Sequence, residues 1–221
     1  MHMSTKLTRE PRQARSRETL SRIVEATLAL IRESLDGDFT LREVADRADI
    51  ARGTLHARFP SKEELLIHVH EIFWTDRVER LARHLDEVVA IAAALPAEAA
   101  SRRAALAPAV SNGLALLLAD QRKTRAVHQV FARAMIDSAR LASRHRHFQT
   151  LTFDLVIARA NAALGHLGAP IVLDRMRWAL RVVVAAMRES QPELVPPGLR
   201  LDDAVLIAEL GRIVLDLVPD P

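Results

Sequence analysis

Residues 40–62 read TLREVADRADIARGTLHARFPSK, from Thr40 to Lys62. Leu41, Val44, Ala45 and Ala48 recur at the spacing of one helical face. Thr40 can accept the first unpaired backbone N–H, and Glu43, three residues on, can reach back to close a capping box. Asp49 then tolerates the left-handed backbone that a sharp turn needs, and Ile50 plugs the gap between two helices. A second short helix is expected from about Ala51. It would bury Leu55 and Phe59 and show Arg52, Thr54, His56 and Arg58 to water. Pro60 ends it, and Ser61 with Glu64 forms a second capping box. Two short helices joined by a fixed tight turn make a helix-turn-helix.

Upstream, Leu20, Ile23, Val24, Thr27, Leu28 and Ile31 make one apolar face, which predicts a helix from Leu20 to Ser34 with Gly37 marking the turn out of it. Residues 1–16 are polar and basic, and are expected to be a flexible arm in which Arg15, with the neighbouring Arg17, can lie along DNA. Downstream, a long helix should start at Ser61, carry Leu65, Leu66, Val69, Phe73, Leu81 and Val88, and stop at Pro96. Residues 97–107 are Ala-rich and ambiguous, and Pro108 starts or kinks the next helix. That helix runs to Asp120, read as the cap of a helix over 121–142, and another follows over 145–166, stopping at Gly165 or Gly168. The last two are Asp174 to Glu189 and Asp202 to Leu217, separated by a proline-rich loop. The chain reads as all-α: a basic arm (1–16), a three-helix DNA-binding domain (17–60) and a helical domain (61–221).

Charge divides along the same line. The formal net charge is +3, and residues 1–62 hold 12 Lys and Arg against 9 Asp and Glu, while the remainder holds 19 of each. A basic module joined to a neutral one is the electrostatic footprint of nucleic-acid binding. Hydrophobic residues are 49% of the chain and Gly only 7 of 221, which suits helices rather than a turn-rich β fold. Cys is absent, so disulfides and thiolate chemistry are excluded. The N-terminus has no apolar core for a signal peptide and no uncharged run is long enough for a bilayer, so a soluble, cytoplasmic protein is expected.

Enzyme chemistry finds no foothold. There is no Gly-rich phosphate loop after a strand, and scattered Ser, His and Asp on helices make no triad. His68 with His70, and His145 with His147, are two apart and point to opposite sides of a helix, so neither pair can share a metal. No cofactor or metal is expected. For base reading, Arg42 and Arg52 can each fork onto guanine O6 and N7, His56 can donate to a purine N7, and Gly53 leaves room for a thymine methyl. Thr40, Thr54, Arg58 and Lys62 suit phosphates, which fix register without reading sequence.

The runs Phe39-Thr40-Leu41-Arg42-Glu43-Val44-Ala45, Ile50-Ala51-Arg52-Gly53-Thr54-Leu55 and Phe59-Pro60-Ser61-Lys62-Glu63-Glu64-Leu65-Leu66 together resemble the DNA-binding domain of TetR-family transcriptional regulators. The likeness runs from about Arg17 to Leu66. Departures fall at Asp49, where the family usually has Gly, at Ala51, often Ser, at His56 and Ala57, usually aromatic, and at Arg58, a frequent His. The resemblance implies a homodimer, most often a repressor, that a small-molecule effector releases from a pseudo-palindromic operator. It implies a ligand cavity in the C-terminal half, with Trp74, Arg77, His128, Phe131, Met135, Phe148, Phe153 and Trp178 as candidate lining. The final helix reads as apolar almost all round, which asks for burial on every side. A four-helix bundle with a second copy answers this, using Met176, Leu180, Val184 and Met187 on one helix and Val205, Leu210, Ile213 and Leu217 on the other. The alternatives are an effector-independent dimeric DNA-binding protein and a helical enzyme.

Overall fold

The computed structural model describes residues 9–34, 38–95, 101–167, 173–189 and 201–218. Every regular element among them is helical: α1 (Arg9–Glu33), α2 (Leu41–Arg47), α3 (Arg52–Arg58), α4 (Lys62–Ala94), α5 (Arg102–Lys123), α6 (Arg125–Asp137), α7 (Ala139–His166), α8 (Leu173–Glu189) and α9 (Asp203–Leu215). The expected turn at Gly37, the stop at Pro96 and Gly168, and the proline-rich loop lie outside the described residues.

The chain forms two compact units. The first comprises Met1–Trp74 and Arg125–Arg146, the second Thr75–Thr124 and His147–Pro221. Neither is one consecutive stretch, so a division at residue 60 does not coincide with them. In the first unit α1, α2 and α3 surround a core of Ile23, Ile31, Phe39, Val44, Leu55 and Phe59. The same core continues through Leu65, Val69 and Phe73 of α4, Val127, Val130 and Phe131 of α6, and Leu141 of α7. Phe131, Val127 and Leu141 are at most 1% exposed, so the late segment is part of this core and not a loose covering.

The second unit has two apolar clusters. Leu114 and Leu118 of α5 meet Val183 and Met187 of α8 and Leu206 and Leu210 of α9. Ala92, Leu106, Ala163, Leu164, Leu167, Met176 and Val218 form the other. Arg122 holds both carboxylate oxygens of Asp203, tying the end of α5 to the start of α9. Arg103 donates from Nε to the Val218 carbonyl at 2.8 Å near the opposite ends. Gly113 permits a close approach of α5 to α4: a Cβ there would collide with the His84 imidazole.

Several boundaries differ from the sequence reading. α1 begins at Arg9, about three turns before Leu20, and Pro11 falls in its first turn, where a missing N–H costs nothing. Part of the expected flexible arm is therefore helix. Pro108 lies inside α5, which Ser101 caps through a hydrogen bond from Ala104 N, so the proline does not start the helix. Asp120 is within α5, its carboxylate engaged by Arg77 and Arg80, and does not cap the next helix. Thr124 closes α5 by donating its hydroxyl to the Asp120 carbonyl. The single helix expected over 121–142 is divided among α5, α6 and α7: Thr124 closes the first, and Ser138 caps the last by accepting from Leu141 N at 3.0 Å. Gly165 does not end α7, which continues to His166.

Candidate nucleic-acid interface

Thr40 adopts an extended backbone (φ −106°, ψ 157°) and its hydroxyl oxygen accepts from Glu43 N at 3.2 Å. Glu43 answers by accepting from Thr40 N at 2.7 Å and from the Thr40 hydroxyl at 2.8 Å. These bonds hold the Glu43 carboxyl below its ordinary pKa. The helix ends at Ala48, and Asp49 takes φ 51°, the left-handed turn. Ile50 N then bonds back to the Ala45 carbonyl at 3.1 Å, and Ile50 packs on the core. Arg22 of α1 reaches the Asp49 carbonyl at 3.4 Å, bracing the turn from outside. On the other side Arg47 forks onto Glu33 of α1 at 2.7 and 2.6 Å.

This bracing leaves α3 with one side in and three sides out. Leu55 is buried, while Arg52, Gly53, Thr54, His56, Ala57 and Arg58 are exposed. Ala51 is the N-cap and contributes no side-chain bond, unlike the serine the helix start could hold. A Cβ on Gly53 would meet nothing within 4 Å, so the fold itself does not require glycine there. Ser61 caps α4 by accepting from Glu64 N at 3.2 Å, but the Glu64 carboxylate takes Arg140 at 2.5 Å.

Of the base-reading candidates, Arg42 and Arg52 come together. Arg42 Nε and Arg52 Nη2 each lie 3.7 Å from the same oxygen of Asp46, Oδ2, so one carboxylate stands between them. Sequence reasoning passed over Asp46, although its place four residues after Arg42 was a legible ion-pair signal. The phosphate candidates are less uniform. Thr54 is exposed, but the Thr40 hydroxyl is engaged with Glu43. Arg58 turns to α1, donating to the Ser16 carbonyl at 3.1 Å and to its hydroxyl at 2.6 Å. The Lys62 ammonium lies 4.1 Å from the Phe39 ring centroid, and partial burial lowers its pKa.

The pocket candidates separate. Trp74, His128, Phe131 and Met135 belong to the first unit, and Arg77, Phe148, Phe153 and Trp178 to the second. Phe131 is core, its ring edge-on to His70 at 5.0 Å. Trp74 stacks obliquely on His128 at 5.6 Å. Arg77 is paired with Asp120 and donates to the Thr124 hydroxyl at 2.9 Å, while burial lowers its pKa more than Asp120 raises it. Trp178 is 61% exposed on α8. Unforeseen from sequence, His70 and His145 meet across 75 residues, Nε2 to Nδ1 at 3.1 Å. Burial first, then His145 and His128, push the His70 pKa down to about 3. Among the described residues no group of three or more His, Asp and Glu is arranged to hold a metal ion.

The dimer candidates split by burial. Met176, Met187 and Leu210 are in the core of their own chain, and Leu180, Ile213 and Leu217 are half-buried. Val184 and Val205 are 64% and 47% exposed. Nor is the last helix apolar on every side: Glu209 and Arg212 pair at 2.7 Å on its outer face, a polar stripe the sequence reading overlooked.

Residues 23–69 match the family described as bacterial regulatory proteins, tetR family. The HTH-type transcriptional repressor KstR of Mycobacterium tuberculosis is 47% identical over 51 residues, 23% of this chain and 23% of that one. KstR of Rhodococcus jostii shows the same identity over 51 residues and 24% of its length. The chain thus matches about a quarter of the length of these relatives. Two solved structures share the fold across nearly the whole chain. The transcriptional regulator FadR from Bacillus subtilis, in complex with stearoyl-CoA, superposes with a TM-score of 0.61 at 16% identity, covering 90% of this chain and 100% of that one. A TetR transcription regulator from Haloarcula marismortui gives 0.60 at 16%, covering 92% and 97%. No helix among the described residues is long and apolar enough to cross a membrane.

Proposed function

We propose that this all-α chain, whose residues 23–69 match the tetR family of bacterial regulatory proteins, is a homodimeric transcriptional repressor. It binds a pseudo-palindromic operator, and a small-molecule effector releases it. One observation carries the reading: α3 follows a braced left-handed turn and exposes Arg52, Gly53, Thr54 and His56 together while burying Leu55. Such a helix can enter a major groove with arginine and histidine donors on base edges. Two copies place two such helices about one helical turn of DNA apart, 34–36 Å, which makes the operator as symmetric as the dimer.

Arg42, Arg52, Gly53 and His56 read bases in this account, and Thr54 meets phosphate. Arg58 and Lys62 reach phosphate only by leaving Ser16 and Phe39. An effector acts from the helical domain that follows the helix-turn-helix, and its signal reaches the recognition helix through α4, which begins four residues after α3 ends. Fold likeness to FadR, seen with stearoyl-CoA, supports a helical domain able to enclose a small molecule. Selection of bound sequences from random DNA tests the whole reading. The expected result is a two-fold symmetric consensus with one fixed half-site spacing. Enrichment of no sequence over the starting pool would refute it.

A further inference from the structure

We propose that Asp46 is a specificity-determining positioning residue for the two arginines that read the operator. The inference rests on the DNA-binding reading above. Asp46 is on α2, in the last turn before Asp49, and its backbone carbonyl accepts from Asp49 N at 3.3 Å, so its Cα is fixed by the turn itself. Its Oδ2 lies 3.7 Å from Arg42 Nε on the same helix and 3.7 Å from Arg52 Nη2 at the start of α3. All three side chains are more than half exposed, on the surface offered to DNA.

A carboxylate on that surface works against binding, since it faces a polyanion and weakens contact with every sequence alike. Its placement between two guanidinium groups gives it a second effect. Without it, two flexible cations could each swing to the nearest phosphate, where they would add affinity and read nothing. With it, each guanidinium has a carboxylate partner that constrains its direction and leaves its remaining N–H groups available for a guanine edge. An isolated exposed ion pair in water is weak, because solvent screens it. Inside a groove the same charges lose water, and a carboxylate shared by two cations also offsets their mutual repulsion. Asp46 therefore lowers affinity for DNA in general and raises the ratio between the operator and other sequences.

The test uses the full chain and its selected operator. Wild type, Asp46→Ala, Asp46→Asn and Asp46→Glu are each titrated against the operator, every single-base change in one half-site, and an unrelated duplex, at two salt concentrations. The expected outcome for Asp46→Ala and Asp46→Asn is tighter binding to the unrelated duplex. Discrimination should fall on the order of tenfold at the positions read by Arg42 and Arg52, the lower end of what one bidentate arginine supplies. Asp46→Glu, which keeps the charge, should restore part of the discrimination. If removing the carboxylate tightens binding to all duplexes by one common factor, Asp46 is only a repulsive charge and the proposal is wrong. Selection that yields no operator for wild type overturns the DNA-binding reading and this proposal with it, whereas an operator bound with unaltered preferences by Asp46→Ala overturns the proposal alone.

Discussion

Gly53 and His70 show how one residue can be set by two different demands. Gly53 lies within α3 with open space where a side chain would stand. Glycine inside a helix is costly, so Gly53→Ala should raise the stability of the free protein by about 0.5–1 kcal/mol. If the vacant space is kept for DNA, the same change should weaken operator binding. Thermal melts and operator titrations of one variant check both directions, and a gain in both would show that the glycine serves neither. His70 is fully buried beside His145, with His128 also close, and its pKa is held near 3 against an ordinary value of 6.5. A depressed histidine pKa means the unfolded chain binds the proton first. The associated stability is whole above about pH 6.5 and is lost as pH falls from there toward 3, by at most about 1.4 kcal/mol per pH unit. His70→Leu should flatten that slope in denaturant melts between pH 7 and pH 5.

Among the helices, α8 and α9 decide what an assembly can use. Leu210 of α9 is packed against α5 and α8 of its own chain, so Leu210→Glu should destabilise the subunit itself, by more than about 3 kcal/mol. Val184 of α8 is exposed, and Val184→Glu should leave helicity and melting intact while shifting sedimentation from dimer to monomer. If Val184→Glu remains a dimer, the assembly uses another face. The helix-turn-helix was legible because its signals are local: a capping box, a left-handed position and one buried face each fit in a few residues. Ser101 before α5 was equally local, but it stands in an Ala-rich run with no apolar boundary to mark it, and Ser138 interrupts what reads as one continuous helical pattern. The pairing of His70 with His145, and of Arg58 with Ser16, depends on tertiary placement and leaves no trace in spacing. The apolar reading of α9 failed for a simpler reason: counting its many aliphatics hid the Glu209–Arg212 stripe.

At the level of the whole molecule, release by an effector is a statement about two equilibria. A compound that weakens operator binding tenfold must bind the operator complex ten times more weakly than it binds free protein. Calorimetric titration of both forms with any compound that raises the melting temperature would check this, and equal affinities would rule that compound out as an inducer. The discontinuous first unit bears on a different event, the making of the chain. Its core needs Val127, Phe131 and Leu141 as well as the residues before Trp74. On the ribosome, the stretch from Trp74 to Arg146 takes roughly 4–14 s to add at 5–20 residues per second. Throughout that interval the nascent helix-turn-helix has an open apolar side, available to chaperones or to a neighbouring polysome chain. A stop codon placed after Trp74 should therefore yield a product that aggregates, although every residue of the turn and of α3 has been translated.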